Sequence, residues 1–199
     1  MKTPFIQIHK ALNDDDRRFL LDLKQGIVDW RKFPLPEAQM FGGGSGETKM
    51  KSVEHSMSFA VPQPVSRVFP LFSPEGEKHW VPGWDYENVM GTKELSEDYV
   101  FLTKSHDHAA AEAVWLVKRY RPDDYCVEFY KVEPGDKVGV VKVCCEALAG
   151  QHTQVAVTYR YIALSGAGEA FVSGFTAEAY REFITEWQRL LSDYFAANG

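Results

Sequence analysis

The sequence predicts an α+β fold, a curved antiparallel sheet of about seven strands wrapped on one long C-terminal helix, with two short helices after the first strand. Three observations predict it. Between Phe175 and Ala197, the residues Tyr180, Phe183, Ile184, Trp187, Leu190, Leu191, Tyr194 and Phe195 recur as one stripe of a 3.6-period helix. Six extended runs follow one another from Tyr86 to Leu164 with no helical pattern between them, the mark of an antiparallel meander. Upstream, one run alternates with period two and then breaks into short helical turns.

Residues 1–49 read differently from the rest. Asn13, Asp14, Asp15 and Asp16 make a helix start with acids in the first turn. Phe19, Leu20, Leu23, Ile27 and Trp30 then form an apolar stripe over residues 13–30, and Gly42-Gly43-Gly44-Ser45-Gly46 is a flexible linker by composition. Two readings compete: a natural N-terminal extension that docks on its own or a neighbouring domain, or an appended peptide on a designed linker. Either way, a short amphipathic helix needs a surface to fold against.

From residue 50 to 199 the chain reads as one domain. Val53, His55, Met57, Phe59 and Val61 alternate with polar or small residues, giving a half-buried strand over Lys51–Val61. Pro62-Gln63-Pro64 ends it. Val65 to Phe72 and Ser73 to Glu77 suggest two short helical turns, the second carrying His79 and Trp80. The six strands are expected at Tyr86–Gly91, Tyr99–Lys104, Ala113–Arg121, Tyr125–Glu133, Lys137–Leu148 and Thr153–Leu164. Pro122-Asp123-Asp124 and Pro134-Gly135-Asp136 supply turns between them. Thr176 is the expected N-cap of the last helix, Glu178 suits its dipole, and Phe175 with Tyr180 has the spacing of a hydrophobic staple.

Composition narrows the function. Hydrophobic residues make up 45% and charged residues 25%, as in ordinary globular proteins. A net charge of −6 argues against a nucleic-acid partner. No apolar run is long enough to span a bilayer, and no signal-peptide pattern opens the chain. Cys126, Cys144 and Cys145 read as reduced thiols on strands, hence a cytoplasmic location. Neither a nucleophile elbow nor a phosphate loop is present, and no cofactor is expected.

The run Val68-Phe69-Pro70-Leu71-Phe72-Ser73-Pro74-Glu75-Gly76-Glu77-Lys78-His79-Trp80-Val81-Pro82-Gly83-Trp84-Asp85 resembles the first-helix signature of a bacterial branch of the START-like (SRPBCC) superfamily. Val138 to Val143 and Phe175 to Trp187 also look like that branch. The resemblance covers Met50 to Ala197 and implies the helix-grip fold. The superfamily holds lipid-transfer domains, polyketide cyclases and pathogenesis-related proteins, so the resemblance implies a cavity rather than one activity.

A bent sheet gripped by a helix leaves room for a small hydrophobic molecule, and aromatic residues are the expected lining. Trp80, Trp84, Trp115, Tyr130, Tyr159, Tyr180, Phe183 and Trp187 are the candidate ligand-binding residues. Filling of the core by the same rings is the competing reading. A cyclase- or dehydratase-like enzyme is the alternative function, and convergence of Glu128, Tyr130 or His79 on one cavity wall would favour it. A co-chaperone-like protein-binding module is a further alternative. His106-Asp107-His108 has the composition of a metal site but no identifiable third ligand, so no metal is expected.

Overall fold

The computed structural model describes residues 51–103 and 113–198. Helices α1 (Val65–Val68) and α2 (Pro74–Glu77) follow strand β1 (Ser52–Val61), with a 3-10 turn, Phe69–Phe72, between them. Then come β2 (Glu87–Asn88), β3 (Val100–Thr103), β4 (Ala113–Arg121), β5 (Cys126–Glu133), β6 (Lys137–Leu148) and β7 (His152–Ala163). Helices α3 (Gly166–Gly174) and α4 (Ala177–Asn198) close the chain. The seven strands form one antiparallel sheet in the order β1-β7-β6-β5-β4-β3-β2. The expected fold class and strand count are those observed.

Period-two alternation determines which side chains meet the core. On β5, Val127, Phe129, Lys131 and Glu133 are buried, while Cys126, Glu128, Tyr130 and Val132 face the other way. On α4, Tyr180, Phe183, Ile184, Trp187, Leu191 and Phe195 are buried against the concave face. The start of α4 is as expected: Thr176 Oγ1 accepts from the Ala179 amide at 3.2 Å, and the Phe175 and Tyr180 rings lie 5.7 Å apart.

Helix α3 was not expected. Three of its nine residues are glycine, which hides it from any propensity argument. Glycine is needed at 168 because a Cβ there would run into the carbonyl of Asp136. Only glycine lets α3 settle on the β5–β6 turn. Ser165 caps it, accepting from the Gly168 amide at 3.2 Å, and Phe171 and Val172 pin it to the core. Gly76 has the same role in α2, where a Cβ would strike the carbonyl of Pro70.

The cysteine expectation is corrected. Cys126 and Cys144 stand opposite each other on β5 and β6, with Cα atoms 4.2 Å apart, and are joined as a disulfide. Strand register put them together, and register is what an odd cysteine count does not reveal. Cys145 alone is free, and burial pushes its thiol up to about 12. The inference from reduced thiols to a cytoplasmic location therefore loses its premise. Among the described residues, no helix is long and apolar enough to cross a membrane.

Candidate functional site: an aromatic groove beside a filled core

The space between sheet and α4 is nearly full. A cavity of about 20 Å³ remains there, lined by Phe72, Trp84, Trp115, Phe129, Tyr159 and Trp187 among others. That is room for about one water molecule. Interlocked rings fill the rest: Trp80 and Trp187 meet edge to face at 5.4 Å, Phe183 and Trp187 at 5.5 Å, and Tyr159 and Phe183 at 5.5 Å.

Four of the inward-facing rings have their polar tips engaged within the protein. Trp80 Nε1 donates to the Leu71 carbonyl and Trp84 Nε1 to the Pro74 carbonyl, each at 2.8 Å. Trp115 Nε1 donates to Thr103 Oγ1 at 3.0 Å, and the Tyr180 hydroxyl to the Val157 carbonyl at 2.6 Å. Burial holds the Tyr159 and Tyr180 phenols above their ordinary range. Seven of the eight candidate aromatics therefore do face the concave side, but as packed core. Tyr130 does not. It points to the convex face, with the Lys118 ammonium 5.1 Å from its ring centre.

The acid–base residues do not converge. Glu128 is on the convex face, ion-paired to Lys118 at 2.7 Å. His79 is exposed beside Tyr194. Half-buried His55 bonds through Nε2 to the Phe175 carbonyl at 2.8 Å. His106-Asp107-His108 lies outside the described residues, as does the 13–30 segment.

Charge on the concave face sits instead at one end, unforeseen. Lys131, Glu133 and Lys137 are buried there at 0%, 6% and 1% exposure. Lys131 Nζ is 3.6 Å from Glu133 Oε1, and Lys137 Nζ is 3.2 Å from Glu133 Oε2 and 2.6 Å from Asp136 Oδ2. Desolvation brings the Lys131 ammonium down to about 8, with Glu133 opposing the shift. Phe171 of α3 covers the cluster, its ring centre 4.3 Å from Lys137 Nζ. Alternation alone placed these three residues inward. The signal was in the sequence, in the pairing of Lys131 and Glu133 with Val127 and Phe129 on one face.

The larger opening lies at the other end of the sheet. A groove of about 360 Å³ runs between the Phe69–Phe72 turn, the 93–95 segment and the β4–β5 turn. Phe69, Phe72, Leu95, Tyr120, Tyr125 and Val127 give it an apolar floor and walls, and Ser66, Ser73 and Lys93 sit at its margin. Phe69 stacks on Tyr120 at 6.1 Å and meets Tyr125 edge-on at 5.8 Å. Phe72 lines both this groove and the inner cavity, so it is the partition between them.

Two local features build the groove. The β4–β5 register shifts between Val117 and Arg119, a bulge that reverses the alternation and turns Tyr120 to the concave side opposite Val127. Tyr125 holds a left-handed backbone with φ 50°, an uncommon state for an aromatic residue. Its carbonyl accepts from the Cys145 amide at 2.9 Å, which fixes the turn. At the margin, Lys93 is ion-paired to Glu75 at 2.8 Å, and the Tyr86 hydroxyl donates to the same carboxyl at 2.9 Å. Those two partners hold Glu75 at about 2.

No family model matches the chain, and no curated protein sequence matches it. Solved structures do. The ginseng major latex-like protein 151 from Panax ginseng superposes with a TM-score of 0.55 at 17% identity, covering 73% of this chain and 98% of its own. Ara h 8.0201 gives 0.53 at 13%, covering 72% and 95%. Norcoclaurine synthase from Thalictrum flavum, solved with dopamine and hydroxybenzaldehyde, gives 0.53 at 9%, covering 82% and 99%. The chain thus has the helix-grip fold that these structures share. At these identities the likeness is one of fold.

Proposed function

We propose that the chain binds a small, largely apolar molecule in the groove beside Phe69, rather than between the sheet and α4. One observation carries this: about 360 Å³ is open at the groove against about 20 Å³ in the core. Ligand sites are typically several hundred cubic ångströms with apolar walls and a few polar groups. Phe69, Tyr120 and Tyr125 would offer one aromatic wall to flat or aliphatic matter, and Lys93, Ser66 and Ser73 would meet a polar end. The strained backbone at Tyr125 supports the same reading, since strain tends to be kept where a side chain has work to do. Trp84, Trp115, Tyr159 and Trp187 line the small inner cavity, and Phe72 stands between it and the groove.

The test is titration with 1-anilinonaphthalene-8-sulfonate, whose apolar rings and anionic end fit this chemistry. Saturable binding is expected, weakened at least tenfold by Phe69→Glu and left within twofold by Tyr130→Ala. Equal weakening by both, or no saturable binding, would contradict the proposal.

A further inference from the structure

The convex face of an antiparallel sheet is normally polar because water covers it. Here it is divided. Toward the β1–β7 edge the outward residues are Glu54, Ser56, Ser58, Gln154, Thr158 and Arg160. Toward the centre, two adjacent rows are apolar. Leu102, Val114, Val132, Val138 and Ile162 stand in register across five strands. Val100, Leu116, Tyr130 and Val140 form the next row. All nine are half-buried, and all point away from the core.

The patch has a sharp border. One row further on, β4, β5 and β6 switch together to Lys118 and Arg119, Glu128, and Lys142. An ordinary solvated face has no reason for such a division. Apolar patches of this kind mark contact surfaces.

We infer that this face is the docking surface for residues 13–30 of the same chain. The described chain begins at residue 51, and Ser52 stands opposite Ile162, at the end of the first apolar row. The segment that must be placed therefore leaves the domain at the edge of the patch. Phe19, Leu20, Leu23, Ile27 and Trp30 give that segment one apolar stripe by sequence spacing. As a helix it would be about 27 Å long at 1.5 Å per residue. Five strands spaced about 4.8 Å apart make a row roughly 19 Å wide, which such a helix would cross. The Gly-rich connection of about twenty residues has a typical span of roughly 25 Å, enough to lay the helix across the sheet. Charge agrees: Arg119, Lys142 and Arg160 stand exposed along the border, and the segment opens with Asp14, Asp15 and Asp16.

Hydrogen–deuterium exchange on the full chain tests this. An isolated helix of this length is marginal in water, so protection of amides 16–30 reports docking. At least tenfold protection is expected in the unmodified monomer, lost in Val132→Glu while the strand amides stay protected. Leu23→Asp leaves the domain untouched and should lose the same protection and shift the ring resonances of Tyr130. Free exchange of 16–30 in the unmodified chain would overturn the assignment. So would protection surviving Leu23→Asp, unshifted Tyr130 resonances, or light scattering that shows a second copy on this face.

Discussion

The two ends of the concave face are built from the same strands and finished in opposite ways. At the α3 end, a helix with three glycines settles on the β5–β6 turn and seals Lys131, Glu133 and Lys137 beneath Phe171. At the Phe69 end, two one-turn helices and a bulge bring three aromatic rings together as the wall of an open groove. Closure depends on glycine, because backbone must touch backbone. Opening depends on aromatic residues held by turns and a bulge. The difference teaches that cavity placement in this fold is decided by short connecting elements, and the long helix and the sheet serve as a fixed frame.

The sealed end gives the largest expected effect. Glu133→Leu takes from two buried lysines the carboxylate they share. Breaking a buried ion pair from one side costs about 3–5 kcal/mol, so urea unfolding at pH 7 should show a loss of that size. A near-neutral result would mean the cluster is open to water.

At the open end, Phe72→Ala should cost about 3 kcal/mol or more, since it removes a buried ring. It should also merge the groove with the inner cavity, so that dye binding survives or tightens while thermal stability falls. Loss of both together would break the partition argument.

Lys131 makes a prediction whose sign is the reverse of the usual carboxylate case. Its folded value of about 8 lies below the ordinary lysine value near 10.5. Below pH 8 both states are protonated and the burial penalty is complete. As pH rises from 8 toward 10.5, the unfolded state still binds the proton and the folded state does not, so stability rises. Between pH 7 and 9.5 the gain from this one group is about 2 kcal/mol, and it should vanish in Lys131→Met, as read by urea midpoints at the two pH values. Above pH 10 the buried tyrosines oppose it, because their raised values favour the folded state only while they remain protonated.

The smallest effect is expected at Tyr125. Tyr125→Gly relieves a backbone cost of about 1 kcal/mol and gives up part of a half-buried ring, so stability should hardly move. Dye affinity should still fall several-fold. A variant that is plainly less stable but binds equally well would assign Tyr125 to the frame.

Most of the fold was legible because its signals are periodic. Alternation marked β4 and β6 to the residue, and the stripe from Tyr180 to Phe195 found α4 and its Thr176 cap. Helix α3 was illegible because Gly168 is there for contact with Asp136, a tertiary fact that propensity reads as a loop. The site was only partly legible. Trp84, Trp115, Tyr159 and Trp187, read as ligand-binding, lie inward, but inward-facing rings fill a core as readily as they line a cavity. Tyr130 was misplaced by face. Tyr120 was missed because a bulge reverses its face, and Tyr125 because it belongs to a turn. The disulfide between Cys126 and Cys144 required the register itself.

The most direct test of where a ligand sits is NMR of the full chain with bound 1-anilinonaphthalene-8-sulfonate, recording nuclear Overhauser contacts from dye to protein. Contacts to Phe69, Leu95, Tyr120 and Tyr125 are predicted, with none to Trp115 or Phe183. Contacts confined to Trp115, Tyr159 and Phe183 would place the ligand between sheet and helix and contradict the account.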